Sequence, residues 1–336
     1  MKISYDTLEK ECINIFCETG CSADVAQKAV LPLLLAEACG VSSHGIRMIP
    51  AHIQKIKKGE YSMDCNIEKE IETSAFARVN CKNQIGMVSA TDCMQMAICR
   101  AKESGIYSVF ANHCNTFSAA FVYVLQAARQ GMIGFVMSNS PAQMAPIGGC
   151  SRLLGTNPMA YAVPAKTHNP IVFDMATSIV AKSKINQAKE HCEPIPEGWA
   201  LDVKGNPTTD PEEAVKGLIL PMAGAKGYGL TMMIDLLAGL LSHAQYLDGV
   251  GRFYGSGNRC MNVGQCFVAI DPKIIYGETF YEEIDTYIEK IHNSICLENQ
   301  TIRIPGERKF EMLQKSKKYG IDIPEDVWNK IMDIEK

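Results

Sequence analysis

The spacing of apolar residues changes twice along this chain, and this change limits the possible folds more than any other sequence feature. Apolar residues recur at helical spacing over 5–19, 22–39 and 50–58. From residue 63 the period shortens, and short strands alternate with helices. The last third of the chain returns to helical spacing. The pattern therefore predicts an α/β region between two helical ends.

The middle of the chain supplies the strands of the predicted sheet. We expect two strands within 63–83 and further strands at 106–111, 133–137, 159–164, 171–174 and 266–270. The later helices are predicted at 89–104, 118–130, 227–242, 279–295, 307–318 and 324–335. Residues 190–212, rich in Pro, Gly and charge, are predicted to form a long ordered loop.

The order of these elements predicts three segments. Residues 1–75 form a helical N-terminal segment, residues 76–245 a central α/β domain, and residues 246–336 a C-terminal segment that packs with the N-terminal one. We expect a cleft between the joined ends and the central domain. Ligand sites favour such domain interfaces.

Charge and composition argue against several classes of protein. The chain has 33 Lys and Arg against 37 Asp and Glu, a formal charge of −4, whereas nucleic-acid-binding proteins are typically basic. The longest apolar run, Ala29–Ala36, is shorter than the roughly 18 residues of a membrane span. The N-terminus has no apolar signal core. The 14 cysteines form no C-x-x-C pair, so we expect reduced thiols in a cytoplasmic protein and no metal site.

Ser43, His44 and Gly45 lie in a polar turn between two predicted helices. A histidine in such a turn titrates near neutral pH, which suits a proton donor or acceptor. A surface or helix-capping histidine is the alternative interpretation of the same pattern.

Two turns rich in Gly and Pro, 144–149 and 155–158, follow each other between strands. Turns of this kind expose main-chain N–H groups and line ligand clefts, although two ordinary turns have the same composition. Neither G-x-G-x-x-G after a strand nor G-x-x-x-x-G-K-[ST] occurs in the sequence. A nucleotide would therefore have to bind by another geometry.

Three further segments carry candidate ligand contacts. Asp174, at the end of a predicted strand, is placed either to accept from ribose hydroxyls or to cap the following helix. Lys226 lies among glycines at the start of an apolar helix, where free N–H groups and the helix dipole favour an anion. The turn 304–308 precedes a helix and carries little information by itself.

Seven strings, taken in order, resemble the NAD(P)-dependent malate/L-lactate dehydrogenase family, which includes sulfolactate and ureidoglycolate dehydrogenases and 2,3-diketo-L-gulonate reductase. They are SHGI (43–46), MAPIGG (144–149), GTNPMAYAVP (155–164), FDMATS (173–178), GNPTTDP (205–211), ILPMAGAKGYGL (219–230) and IPGE (304–307). Each string is weak alone, but the ordered set covers about residues 5–320.

The resemblance implies an α/β fold whose central mixed sheet binds the cofactor and is not a Rossmann sheet, with a helical domain built from both termini. It implies a homodimer that transfers hydride between nicotinamide and C2 of a small 2-oxo or 2-hydroxy acid, such as malate, lactate, sulfolactate or ureidoglycolate. The cofactor is NAD or NADP, and the choice stays open because no acidic or basic residue is clearly placed at the ribose 2′ position.

The resemblance also assigns roles to single residues. His44 corresponds to the general acid/base, and Ser43 lies beside the substrate. Arg47 and Met144 are the further candidate substrate contacts. The residues that match cofactor-contacting positions are Ser140, Asp174, Met175, Ala176, Lys226, Gly227, Pro305, Gly306 and Glu307.

Two substitutions fall where the chemistry is expected. Many family members have Asn-His-Phe where this chain has 115–117, and Thr116 at the catalytic position cannot exchange a proton at neutral pH. His113, three residues earlier, is a candidate substitute. The family often has Arg at the position of Met48, whereas here Arg47 stands one residue earlier, a shift of about 100° on a helix. We expect the residues of the cofactor site to match the family pattern more closely than the residues of the substrate site do.

Two alternatives to a 2-oxo acid reductase follow from these substitutions. A cyclic imino acid reductase would tolerate Thr116, because a protonated imine already carries its proton. A catalytically weak relative that only binds nucleotide is favoured by Thr116 and Met48 and opposed by His44 and Lys226.

Overall fold

A computed structural model describes residues 1–64, 66–255 and 260–333. The helices of these residues are α1 (Tyr5–Glu18), α2 (Ala23–Ala38), α3 (Ile49–Lys57), α4 (Gly86–Ser104), α5 (Phe121–Ala128), α6 (Lys182–Glu190), α7 (Pro211–Lys216), α8 (Ala225–Ile234), α9 (Pro272–Ile275), α10 (Phe280–His292), α11 (Glu307–Tyr319) and α12 (Glu325–Met332). The strands are β1 (Lys2–Ile3), β2 (Glu68–Glu72), β3 (Phe76–Asn80), β4 (Ile106–Cys114), β5 (Ile133–Ser138), β6 (Met159–Val163), β7 (Ile171–Met175), β8 (Ala200–Leu201), β9 (Pro207–Thr208), β10 (Leu218–Ile219), β11 (Val263–Ile270) and β12 (Ile321–Asp322).

A seven-stranded mixed sheet forms the centre of the molecule. Its strand order is β2-β3-β4-β11-β5-β6-β7. Only β3 and β4 pair in parallel, and the other neighbours are antiparallel. A Rossmann sheet is mostly parallel, so the predicted α/β class with a different mixed sheet is confirmed. The sheet takes β11 from the range 246–336, and β11 lies in its middle.

Side chains of the sheet alternate between two apolar layers. Val136 and Phe267 face the main core, which they share with α2, α4 and α5. Their neighbours Met137 and Cys266 face the other side, where they pack against Ile234 of α8. This alternation is what a strand with both faces covered requires.

The two ends of the chain pack together. β1 pairs antiparallel with β12, and the N-terminal ammonium donates to the carbonyl of Ile323 at 2.7 Å. The Ser316 hydroxyl of α11 donates to the carbonyl of Ala38 at 2.9 Å. The ends therefore form one helical unit around α2, whereas the boundaries at 75 and 245 stay a prediction.

Residues 143–154 and 180–220 form a small lobe beside the sheet. It has a three-stranded sheet of order β10-β8-β9 and its own apolar cluster, which includes Met144, Leu154 and Ile185. The predicted loop at 190–212 was wrong in part, because β8 and β9 lie within it. The predicted single helix at 227–242 is also shorter, since α8 ends at Ile234 and wider π-type turns follow over Asp235–Leu240.

Within the described residues, no helix is both long and apolar enough to cross a membrane. The thirteen cysteines of the same residues are free thiols, as the sequence predicts, and Cys65 lies outside the described residues.

Candidate active site

His44 ends a single 3-10 turn, Ser42–His44, that follows α2. The ring is half-buried, and its Nδ1 lies 2.9 Å from the Ser43 hydroxyl. Burial lowers the pKa of His44 below its ordinary value of 6.5. Its Nε2 has no hydrogen-bond partner among the described residues. A neutral imidazole with one free nitrogen suits a group that accepts a proton from a ligand.

Glu37 of α2 forms a hydrogen bond with the main chain just after His44. Its buried Oε2 accepts the N–H of Ile46 at 3.1 Å. A Cβ atom at Gly45 would overlap Oε2, so only glycine permits this approach. The spacing of apolar residues does not reveal this role of Glu37, although a carboxylate that directly follows the apolar run of α2 indicates a buried acceptor.

A four-residue segment, 118–121, joins His44 to Asp174. The Ser118 hydroxyl donates to the carbonyl of His44 at 2.6 Å. The main-chain N–H of Phe121 donates to Oδ2 of Asp174 at 3.2 Å. Four residues span at most about 14 Å. The structure thus brings the predicted acid/base and the predicted ribose acceptor to one region.

Thr116 lies at the start of the connection that contains this segment. The amide of the preceding Asn115 donates to Oδ1 of Asn83 and to the carbonyl of Gln84, both at 2.8 Å. The amide of Gln265 donates to the carbonyl of Asn115 at 3.0 Å. The connection is therefore fixed, and a half-buried Thr116 presents a hydroxyl in place of a titratable ring.

His113 and Arg47 are the candidates to replace the family histidine and arginine that this chain lacks, and they differ in how free their side chains are to bind a ligand. His113 lies at the end of β4 with its Nδ1 2.7 Å from Oδ1 of Asn112, so one ring nitrogen is engaged. Arg47 is exposed, whereas Met48 is buried. Burial raises the pKa of Tyr254, and the charge of Arg47 offsets part of that rise. Arg47 has no ion pair with a described carboxylate, so its guanidinium remains available to a ligand.

Asn157, just before β6, and Thr177, just after β7, belong to one buried hydrogen-bonded node. Oδ1 of Asn157 accepts the N–H of Ser140 at 3.0 Å, and its amide donates to the carbonyl of Thr231 at 3.0 Å. The hydroxyl of Thr231 donates to that of Thr177 at 2.7 Å. The node ties α8 to the segment that carries Ser140 and to the half-buried Met175 and Ala176. Nothing in the residue spacing revealed the roles of Asn157 and Thr177.

The start of α8 is open. Gly224 caps it with φ of +60° and no side-chain hydrogen bond, and a Cβ atom there would meet nothing within 4 Å. Lys226 is exposed and has no ion pair with a described carboxylate. Gly227 packs directly on the carbonyl of Met222, where a Cβ atom would overlap. The expectation of several free N–H groups was wrong in part, because the N–H groups of Lys226 and Gly227 donate to the carbonyls of Ala223 and Met222 at 3.4 and 3.1 Å. The positive end of the dipole and the unpaired cation still fit an anion such as a pyrophosphate.

Asp174 caps α5, which precedes it in the chain, and not the helix that follows it. Its carboxylate is half-buried, and burial raises its pKa, partly offset by the charge of Lys309. Nζ of Lys309 lies 5.3 Å from the centroid of the Phe121 ring. Asp174 was predicted, as an alternative, to cap the helix that follows it. It does act as a cap, but on α5.

The turn at 305–307 lies against the edge of β7. The N–H of Val172 donates to the carbonyl of Pro305 at 2.9 Å. Gly306 has φ of +103° and approaches Val172 closely. The carboxylate of Glu307 accepts the N–H of Ile304 at 3.0 Å and pairs with Nε2 of His292 at 2.7 Å. Pro305 and Gly306 thus contact Val172, which lies two residues before Asp174 in β7. The carboxylate of Glu307 is occupied by Ile304 and His292.

Met144 lies apart from the other candidates. It is buried in the apolar cluster of the small lobe, where it pairs with Leu154. Its side chain packs against apolar neighbours, so a contact with substrate through that side chain is not supported.

The mixed sheet with β11 at its centre and the joined helical ends distinguish this fold from the Rossmann type. The sequence profile of the malate/L-lactate dehydrogenase family matches residues 3–332. The chain belongs to the malate/L-lactate dehydrogenase family.

Several characterised relatives match over nearly the whole chain. The malate/(S)-sulfolactate dehydrogenase of Methanothermus fervidus is 36% identical over 96% of this chain and 94% of its own. The NADP(+)-dependent (2R)-3-sulfolactate dehydrogenase of Chromohalobacter salexigens is 32% identical over 92% and 90%. The NAD(+)-dependent ureidoglycolate dehydrogenase of Escherichia coli is 32% identical over 99% and 95%.

Solved structures show the same fold. Sulfolactate dehydrogenase from Methanocaldococcus jannaschii superposes with a TM-score of 0.93 at 32% identity, covering 99% of this chain and 96% of its own. The delta1-piperideine-2-carboxylate reductase of Pseudomonas syringae superposes with a TM-score of 0.90 at 28% identity, covering 99% of each chain.

Proposed function

We propose that this protein is an NAD(P)-dependent 2-hydroxy acid dehydrogenase in which His44 is the general acid/base. The segment 118–121, which contacts His44 at one end and Asp174 at the other, is the observation that carries the proposal. It supports a site in which proton transfer and cofactor binding occur side by side. The NADP(+)- and NAD(+)-dependent relatives support either cofactor.

The residues present fit a dinucleotide. The open start of α8 with the unpaired Lys226 suits a pyrophosphate, and Asp174 suits ribose hydroxyls. Ser140 and the turn at 305–306 border the same region through Asn157 and Val172. When bound, the nicotinamide supplies or accepts the hydride at C2 of the substrate.

His44 then handles the proton of the reaction. In the direction of reduction, Nε2 of a protonated His44 gives its proton to the substrate oxygen as hydride reaches C2. In the direction of oxidation, the neutral ring accepts the hydroxyl proton. The lowered pKa of His44 keeps the ring neutral at pH 7 and so favours its action as a base. Arg47 is the nearest unpaired cation in the sequence for the substrate carboxylate.

A cyclic imino acid reductase is the second candidate. Thr116 supplies no second titratable group, and the similar reductase from Pseudomonas syringae bears the name of an imino acid substrate. An imine that is protonated in solution requires no proton donor at this position.

We also propose that the protein is a homodimer. Met232, Met233, Leu236, Leu240 and Leu241 on α8 and the turns after it expose 37–52% of their surface. A contiguous apolar surface of this kind marks an interaction site. A second copy would cover it next to Lys226. Sedimentation velocity tests this, and a monomer at micromolar concentration would contradict it.

Turnover of reduced cofactor is the decisive experiment. Oxidation of NADH and NADPH is followed with pyruvate, oxaloacetate, sulfopyruvate and a cyclic imino acid, for the wild type and His44→Ala. We expect turnover of an oxo acid, a loss of about 10²–10⁴-fold in the variant and unchanged cofactor affinity. Turnover of the imino acid alone would select the second candidate. Cofactor binding without turnover of any compound would indicate a nucleotide-binding relative.

A further inference from the structure

Three cations lie together in and beside the small lobe without carboxylate partners. Arg152 and Lys182 are half-buried, and Arg252 is exposed. Among the described residues, none of the three forms an ion pair. Buried charges are normally paired, so a group of cations with no carboxylate partner suits an anionic ligand.

Gln143 organises two of these cations. Nζ of Lys182 donates to Oε1 of Gln143 at 2.7 Å. The N–H of Gln143 donates at 2.8 Å to the carbonyl of Leu154, two residues after Arg152. The carbonyl of Gln143 accepts the N–H of Ile219 at 3.1 Å. Arg152 and Lys182 therefore extend from one hydrogen-bonded framework.

The guanidinium of Arg152 is fixed by the main chain of the same framework. It donates to the carbonyls of Val215 at 3.0 Å and Gly217 at 2.8 Å, and also to that of Lys216. Lys182 begins α6, whose N-cap, Ala181, provides no side-chain hydrogen bond. The uncapped helix start adds positive potential beside the two side chains.

The three charges act on one another. Burial lowers the pKa of Lys182, and the charges of Arg152 and Arg252 lower it further. Burial and Arg252 likewise lower the pKa of Arg152. Like charges gathered in a partly buried place destabilise the free protein. An anion bound among them would remove that repulsion.

A short segment runs from Arg252 to the neighbourhood of Arg47, which lies three residues after His44. Arg252 precedes Phe253, whose ring packs against His52 of α3 with centroids 4.8 Å apart. Tyr254 follows, and the charge of Arg47 acts on its hydroxyl. The segment 252–254 thus runs between the cluster and Arg47.

We propose that Arg152, Lys182 and Arg252 bind the distal acid group, a carboxylate or a sulfonate, of a doubly anionic 2-oxo or 2-hydroxy acid. This inference rests on the proposed function, in which the carboxylate beside the reacting carbon is bound by Arg47. A substrate with a single carboxylate leaves the cluster unpaired. The cluster therefore sets the preference for dianionic over monoanionic acids.

Steady-state kinetics of Lys182→Gln and Arg252→Gln test the proposal. Lys184→Gln is the matched control, because Lys184 is an exposed lysine of the same helix. Arg152 is kept, since its guanidinium holds three main-chain carbonyls. For oxaloacetate and sulfopyruvate we expect KM to rise about 10- to 100-fold in Lys182→Gln, as for a lost hydrogen bond between charged groups. For pyruvate, kcat/KM should change less than about twofold, and Lys184→Gln should resemble the wild type.

Two other outcomes would overturn the assignment. A loss of NADPH affinity with NADH affinity retained would assign the cluster to the 2′-phosphate of the cofactor. An equal loss with pyruvate and oxaloacetate would assign it a structural role.

Calorimetric titration with malonate decides the question independently of turnover. The wild type should bind this dicarboxylate about tenfold more tightly than Lys182→Gln. Equal affinities, or no binding to the wild type, would contradict the proposal. If the wild type binds malonate in this way but reduces none of the oxo acids, the anion site stands and the proposed reaction fails.

Discussion

Oδ2 of Asp174 accepts the main-chain N–H of Phe121 at 3.2 Å, so a residue at the end of β7 caps a helix that begins more than fifty residues earlier. The bond couples the predicted cofactor site to the segment that contacts His44. Asp174 is therefore both a structural acceptor and a candidate ribose acceptor.

These two roles predict different results for two substitutions of Asp174. Asp174→Ala should lower the free energy of unfolding by about 0.5–2 kcal/mol, because the cap is lost. Asp174→Asn keeps an acceptor oxygen and should retain most of that stability. Both variants should bind NADH more weakly in a fluorescence titration. Unchanged cofactor affinity in both would exclude the ribose contact.

Glu37 and Gly45 are expected to position His44. Gly45→Ala places a methyl group on Oε2 of Glu37 and must displace the turn. Glu37→Gln keeps an oxygen for the N–H of Ile46 and serves as the milder control. We expect kcat to fall at least about tenfold in Gly45→Ala and much less in Glu37→Gln, with little change in the Kd of NADH. A parallel loss of cofactor affinity would show that the turn acts more broadly.

Lys226 should contribute to cofactor affinity and not to the chemical step. Lys226→Gln removes the unpaired charge at the start of α8, and we expect the Kd of the cofactor to rise about tenfold. Lys204→Gln, at an exposed turn of the small lobe, is the matched control. Isothermal titration gives both values. If Lys226→Gln instead lowers kcat at saturating cofactor, the residue acts on the reaction itself.

His52 predicts how stability depends on pH. The ring is fully buried beside Tyr61, with its Nδ1 2.9 Å from the phenol oxygen, and burial lowers its pKa to about 3. Between pH 6.5 and about 3, only the unfolded chain binds this proton, so stability falls as the pH falls. The slope from this group is about 1.4 kcal/mol per pH unit.

His52→Gln keeps a hydrogen-bonding side chain but removes the titration. Urea unfolding at several pH values should show a shallower loss of stability below pH 6.5 in the variant than in the wild type. Equal slopes in the two proteins would mean that His52 carries the same charge in the folded and the unfolded chain, which would contradict the prediction.

Much of the fold follows from the sequence because hydrophobic spacing is a local property. The bounds of α1, α2 and α10 lie within a few residues of those expected. The regions that sequence reasoning described less well are β8 and β9, which are two residues long, and the π-type turns after α8. Pairs this short are stabilised by partners distant in sequence and leave no period to detect.

The sequence by itself determined the α/β class, the order of elements and the short strings that carry His44, Asp174 and Lys226. Only the tertiary structure decided which residues support them, because such support comes from side chains far apart in the chain. Glu37 is buried beneath Gly45, Asn157 links Ser140 to Thr231, and Met144 lies inside the small lobe. The grouping of unpaired cations at Arg152 and Lys182 likewise depends on how the small lobe folds. Burial and electrostatic proximity are properties of the packed chain, and neither is encoded in local spacing.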